Sequence, residues 1–371
     1  MKKLVVSLFI MLLILVACTS GDDSGVVAAD NFDRKAMLEN LADNIIIPSY
    51  QGFSMDMSDL TSEASKFITT PNEANLISLR SAWSKAYISW QSVGMFEIGK
   101  AEEFSYRNFM NVYPVSSVAI DANINSGSYD LSAVSKQDEQ GFGALDYLLN
   151  GLADTDAEIV TFYTTNTNAS NYITYLTDLT TRMDDLTKEV VLDWINGYRD
   201  TFVNNSGSSA TSSLDKLVND YIFHYEKHLR AGKVGIPAGV FTGNTASEKV
   251  EAFYKGDLSK TLFNANLDAM QNFFNGKHFS SNENGESFKT YLDYLVTLRG
   301  GKDIATLINN QFNVSRTTAS GLNDNFSNQV RTNNVLMTET YNVLQKNVVF
   351  MKVDMLSSMS VRVDFVDADG D

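Results

Sequence analysis

The residues able to do chemistry fall in two short stretches. Gly141 to Gly151 reads GFGALDYLLNG, in which a lone Asp146 follows two glycines, Gly141 and Gly143. A glycine inside a helix costs about 1 kcal/mol relative to alanine, so both require a reason. At helical spacing Gly143, Asp146, Tyr147 and Asn150 share a stripe, which sets the carboxylate beside a position without a side chain. That arrangement implies a close backbone contact or room for a ligand, with Asp146 as a metal ligand or hydrogen-bond acceptor. The second stretch, His224 to His228, reads HYEKH, and two histidines four apart on a helix have ligand spacing for a transition metal. A zincin motif needs glutamate directly after the first histidine. Tyr225 stands there and Glu226 points away from the pair, which disfavours that protease chemistry. His278 lies in a polar run that assigns it no role.

Lys227, Arg230 and Lys233 concentrate positive charge in a chain of formal net charge −16. Cations near a helix C-terminus complement its dipole, at about 0.3–1 kcal/mol each. They could equally hold an anionic group, or pair Arg230 and Lys233 with Asp146 or Asp121 across a domain interface. The ending Asp367-Ala-Asp369-Gly-Asp371 has the first part of a calcium loop but stops before the remaining ligands, which fits a solvated acidic tail. There is no phosphate-binding glycine loop and no nucleophile elbow. The acidity would repel phosphate backbones, so no nucleic acid is expected as partner.

The elements that must position these residues are helical. The chain has four prolines, none after Pro237, which favours long uninterrupted helices. Leu76, Leu79, Trp83, Ala86 and Trp90 repeat at three and four after the start signal Pro71-Asn72, and Tyr341, Leu344, Val348, Met351 and Met355 do the same. Both tryptophans therefore read as core. Further helices are expected at 33–47, 168–202, 212–230, 258–275, 286–299 and 331–358. Ser135 with Asp138 is a capping-box-like pair and Asn150-Gly151 a stop signal, so the spacing predicts a helix over 136–150, with Phe142, Leu145 and Leu149 facing the core. The small polar run 204–213 reads as a linker or long loop, and Gly232 to Gly243, GKVGIPAGVFTG, as irregular. Strand-like alternation is rare, so an all-α protein is expected.

In their order along the chain, GFGALDYLL, AWSKAYISW at 82–90, Val112-Tyr113-Pro114-Val115 with Asp121 downstream, and LRAGKVGIPAGV at 229–240 resemble the imelysin family, also called the insulin-cleaving membrane protease or iron-regulated protein A family. The resemblance extends over about residues 33 to 371. It implies two packed helical bundles, at 33–203 and 211–371, with a cleft between them and the family's GxHxxE motif near their interface. Here Gly141 matches the first glycine, Gly143 holds the histidine position and Asp146 the glutamate position. A zinc hydrolase needs about three protein ligands and an activated water, so this departure removes much of its basis.

The N-terminus, MKKLVVSLFIMLLILVAC, has a basic start and an apolar run ending in Leu-Val-Ala-Cys, which resembles the lipobox of bacterial lipoproteins. Residues 1–17 then form a signal peptide, Cys18 is the lipidated residue and 18–32 a flexible tether. An ordinary signal with a chance cysteine is the alternative. Cys18 is the one cysteine, so no intrachain disulfide is available. The expectation is a lipid-anchored envelope protein, on the periplasmic or surface face of the outer membrane, that binds iron, another divalent metal or a small ligand without catalysis. Gly141, Gly143, Asp146, Arg230 and Lys233 are its candidate ligand-binding residues, and Asp146, His224 and His228 its candidate metal ligands. Its expected partners are the membrane, through the anchor, and envelope uptake proteins. The alternative is a metallopeptidase of the imelysin type, with the lost ligand replaced by His224 and His228.

Overall fold

The computed structural model describes residues 29–365, and the expectations for the signal peptide, Cys18, most of the tether and the Asp367–Asp371 ending lie outside them. Among the described residues the elements are helical, apart from an isolated antiparallel bridge between Lys277 and Asn284. None of these helices is long and apolar enough to cross a membrane.

Helix α1 (Arg34–Leu41) passes through a π turn, Ala42–Ile46, into α2 (Ile47–Thr69). Pro48 lies just after that turn and has no N–H to give to the carbonyl of Asn44. That carbonyl instead accepts the amide of Phe279, 2.8 Å away in the second half of the chain. Helix α3 (Glu73–Trp90) starts where Asn72 caps the amide of Asn75 at 2.9 Å, and its whole Leu76-to-Trp90 stripe is buried. With α6 (Ala169–Asp193), introduced by α4 (Ser117–Ser126) and α5 (Gly141–Asp146), helices α2 and α3 form the first bundle.

The second half runs from α7 (Ser213–Phe223), capped by Ser212, directly into a π-helical stretch, His224–Gly235. There follow α8 (Ser259–Phe274), α9 (Phe288–Arg299), α10 (Ile304–Ala319) and α11 (Phe326–Val349). Helix α11 packs on α10 and on the His224–Gly235 stretch, and the Tyr341-to-Met355 stripe, which runs from α11 into the π turn Phe350–Met355, is buried as expected. Apolar residues of both halves merge into one core cluster. Helix α1 reaches the second half through polar contacts: Asn40 Nδ2 donates to the Glu286 carbonyl at 2.9 Å and Arg34 to the Tyr291 hydroxyl at 2.9 Å.

Three local expectations are corrected. The helix expected over 136–150 is broken: Val134–Glu139 is a 3-10 turn, Gln140 is extended, and α5 begins at Gly141 without a side-chain cap. Gly141 has φ +78°, where L side chains are strained, and that angle ends one helix and starts the next. Gly232 to Gly235, expected to be irregular, are helical, with turns following from Ile236. Helices α2 and α10 were not expected at all.

Trp83 is fully buried and its indole N–H donates to the Phe142 carbonyl at 3.2 Å, so it ties α3 to α5. Trp83→Ala should lower unfolding stability by about 3–5 kcal/mol, whereas Val335→Ala, at an exposed position on α11, should change it by less than about 0.5 kcal/mol. Urea unfolding of the two variants measures both.

Candidate functional site at the seam between the halves

The candidate site is built around α5. A Cβ at Gly141 would run into the carbonyl oxygens of Met110 and Phe109, and one at Gly143 would lie 2.7 Å from Val115 Cγ1 and 3.0 Å from the Val112 carbonyl. Both glycines therefore serve close approach to residues 109–115, and no space for a histidine exists at 143. A small cavity of about 150 Å³ remains beside them, bordered by Tyr113, Pro114, Asp146, Val250 and Tyr254.

Asp146 faces the second half of the chain and is 2 % exposed. Its Oδ2 accepts the amide of Tyr254 at 2.9 Å, and its Oδ1 accepts the amide of Lys255 at 2.9 Å and Asn150 Nδ2 at 3.1 Å. Burial pushes its pKa up to about 7, and the three donors pull the other way. The carboxylate thus fixes the backbone of a strap, residues 250–256, whose Ala252 and Gly256 both have positive φ.

The same strap inserts Glu251, also 2 % exposed, between α3 and the His224–Gly235 stretch. Glu251 pairs with Lys233 and accepts Asn111 Nδ2 at 2.8 Å and Gln91 Nε2 at 3.3 Å. Asn111 in turn accepts the Tyr87 hydroxyl at 2.6 Å. Burial lowers the Lys233 pKa and the Glu251 carboxylate opposes that. A buried pair satisfied on every side holds position, and removing either partner leaves a costly orphan charge.

Arg230 is buried and engaged within its own half, with the Tyr341 hydroxyl at 3.0 Å, Gln345, and Glu226 at 3.5 Å. The expected pairing of Arg230 or Lys233 with Asp146 or Asp121 is not formed. Asp121 accepts the Tyr147 hydroxyl instead, at 2.9 Å.

The rings of His224 and His228 stack at 5.2 Å. His224 Nε2 meets Asn266 Nδ2 at 3.0 Å, and Asn266 also donates to the Gln91 carbonyl at 3.1 Å. Burial first, and then Arg107, lower both histidine pKa values well below the ordinary range, so both rings are neutral. Arg107 spans the seam: its Nη2 donates to Asp220 Oδ1 at 2.8 Å, its Nε donates to the Gly94 carbonyl at 2.6 Å, and its amide donates to Glu97 at 2.9 Å. Among the described residues no three His, Cys, Asp or Glu side chains converge as metal ligands, so Asp146, His224 and His228 are not brought together. The oxygens of Asp146 are already taken by N–H donors and the His pair sits among cations. These residues do not fit a metal centre.

Sequence reasoning missed Glu251, Gln91, Asn266 and the Arg107–Asp220 pair. For Glu251 a signal existed: a single acid between Val250 and Ala252-Phe253 is an acid in an apolar run.

The fold and the glycine-braced helix at the seam define an all-α protein of two packed helical halves. The sequence model of the imelysin family matches residues 46–346, and the chain belongs to that family. An imelysin-like protein from Psychrobacter arcticum 273-4 has a similar structure, with TM-score 0.68 and 15% identity over 91% of this chain and 99% of that one. A protein described as an iron-regulated protein A precursor, from Parabacteroides distasonis ATCC 8503, has TM-score 0.69 and 17% identity over 88% of this chain and 96% of that one. No curated protein matches the sequence.

Two outcomes test this geometry. Gly143→His, which restores the family residue, should lower stability by about 1–3 kcal/mol through overpacking against Val112 and Val115. In the folded state Asp146 keeps its proton up to about pH 7, above the ordinary 3.8, so stability should fall as pH rises between these values. Glu97, raised to about 7 by burial, adds a slope of the same sign. Thermal melts from pH 4.5 to 7.5 should show a shallower fall in Asp146→Asn than in the parent; equal slopes would contradict the assignment.

Proposed function

We propose that the chain is a lipid-anchored envelope protein that binds a ligand without hydrolysing anything, in a role connected with iron or another metal nutrient. The observation that carries the non-catalytic part is the use of Asp146: both its oxygens accept amides of the Tyr254–Lys255 strap, so the residue at the motif's acid position is a structural acceptor. Gly143 provides no ligand, and a Cβ there would press on Val112 and Val115. A hydrolytic metal centre needs about three protein ligands, and among the described residues no three His, Cys, Asp or Glu side chains converge to supply them.

The anchor rests on the Leu-Val-Ala-Cys18 sequence, and the iron connection on the description of the Parabacteroides protein of similar fold. With such an anchor the folded part would face the periplasm or the cell surface, where envelope uptake proteins are its natural partners. A small organic ligand fits the binding reading as well as a metal-bearing one.

The test is the metal content and peptidase turnover of the mature chain, starting after Cys18 and purified from iron- and zinc-supplemented culture, beside Asp146→Ala. Substoichiometric metal and no hydrolysis in either protein are expected. Near-stoichiometric metal that falls in Asp146→Ala, together with hydrolysis, would overturn the reading in favour of the metallopeptidase. For the anchor, Cys18→Ala in the full-length chain should move the protein from the membrane fraction to the soluble one.

A further inference from the structure

A cavity of about 440 Å³ opens at the seam, away from the motif helix, between the π turn Ala42–Ile46 and a hairpin that begins at Lys277. This volume lies within the usual range for small-molecule sites. Its apolar wall includes Ile45, Met95 and the rings of Phe96, Phe273 and Phe279. Its polar lining residues are Lys277, His278, serines and asparagines. No aspartate or glutamate lines it, although the chain has 45 of them against 29 lysines and arginines. Among the described residues no carboxylate lies within ion-pair distance of Lys277; Glu283 is 3.7 Å from His278 Nδ1, is largely exposed, and is not part of the lining.

The walls are held in place from both halves. The Asn44 carbonyl, left without a helical donor by Pro48, accepts the Phe279 amide at 2.8 Å. His278 Nε2 meets Asn40 Oδ1 at 2.8 Å. Asn40 Oδ1 also accepts Asn44 Nδ2 at 3.0 Å while Asn40 Nδ2 donates to the Glu286 carbonyl, so the oxygen is the acceptor and His278 Nε2 carries the proton. The Phe279 ring lies across Gly52, where a Cβ would come within 3.0 Å of it. Pre-formed apolar walls with a few fixed polar groups reduce the ordering cost of binding.

We propose that this cavity binds a small organic anion with a flat apolar body, the anionic head on Lys277 and neighbouring hydroxyls, the body among Phe96, Phe273 and Phe279. In a protein this acidic, a lysine lining a cavity with no aspartate or glutamate in its wall favours an anion there over a cation. The proposal rests on the reading of the chain as a binding protein and supplies that reading with a pocket and a ligand class.

The probe is 8-anilinonaphthalene-1-sulfonate, titrated by fluorescence into the mature chain, beside its neutral analogue N-phenyl-1-naphthylamine. One saturable site is expected, preferring the sulfonate and weakening with salt. Lys277→Glu should weaken sulfonate binding about tenfold or more, and Ala269→Trp, which fills this cavity but not the neighbouring one that Lys277 also borders, should do the same. Lys277→Met serves as the charge variant if Lys277→Glu does not keep the parent melting temperature. Equal affinity for the neutral probe, unsaturable binding, or affinity unchanged by Lys277 and Ala269 substitutions would overturn the proposal. Metal content and hydrolysis measured on the same preparation separate the two failures. Loss of selective binding in a metal-free, inactive protein refutes this pocket alone, whereas metal with hydrolysis refutes the binding-protein reading.

Discussion

A carboxylate almost sealed from water, Asp146, accepts two consecutive backbone amides from the opposite half of the chain, and the seam depends on it. An ionisable group this deeply buried is tolerated when donors surround it, and here the donors are main-chain N–H groups of Tyr254 and Lys255. The two glycines ahead of Asp146 let α5 press against residues 109–115. The strap it grips carries Glu251 into the interior, where Lys233, Asn111 and Gln91 receive it. One short helix thus fixes the strap, and through the strap the register of the two halves.

The seam has a second polar anchorage in Arg107, whose guanidinium reaches Asp220 and the Gly94 carbonyl. Arg107 with Asp220, Asp146 with the Tyr254 and Lys255 amides, and Glu251 with Asn111 and Gln91 each join the two halves, whose apolar residues form one continuous core. The cost of an unmatched buried charge makes such networks specific about which surfaces meet. The same networks engage part of the candidate metal-ligand set. Asp146 holds amides, His224 contacts Asn266, and the cations Arg107 and Lys233 depress the histidine pKa values further than burial alone.

Much of the fold was legible in the sequence because it was written in helical periodicity. The Leu76-to-Trp90 and Tyr341-to-Met355 stripes are buried, and the cap at Asn72 starts α3 as expected. Helix α2 was not legible: the expected helix ended at 47, just before Pro48, whereas the structure continues past it, with Pro48 leaving the Asn44 carbonyl to Phe279 and Gly52 seating its ring. The break before α5 was hidden for the opposite reason: Ser135 and Asp138 imitate a cap, and nothing local reveals that Gly141 takes a positive φ. At the site, the glycines and Asp146 were found by type and spacing. The Asp146 partners Tyr254 and Lys255 were not, nor was Glu251 on the same strap, since contacts over a hundred residues apart leave no periodic trace. For Arg230 and Lys233 the sequence located charge near the seam but not its partners, which for Lys233 is Glu251 and for Arg230 lies within α11 and the adjoining Glu226.

The central claim is that Asp146 has become a backbone acceptor joining the two halves. Native-state hydrogen exchange at the Tyr254 and Lys255 amides tests it most directly, because each amide has an Asp146 oxygen as its acceptor. The account predicts that both exchange only through large opening of the structure, and that Asp146→Ala speeds these two amides far more than amides in the middle of α6. Fast exchange of Tyr254 and Lys255 in the parent protein, or equal acceleration everywhere in the variant, would contradict it.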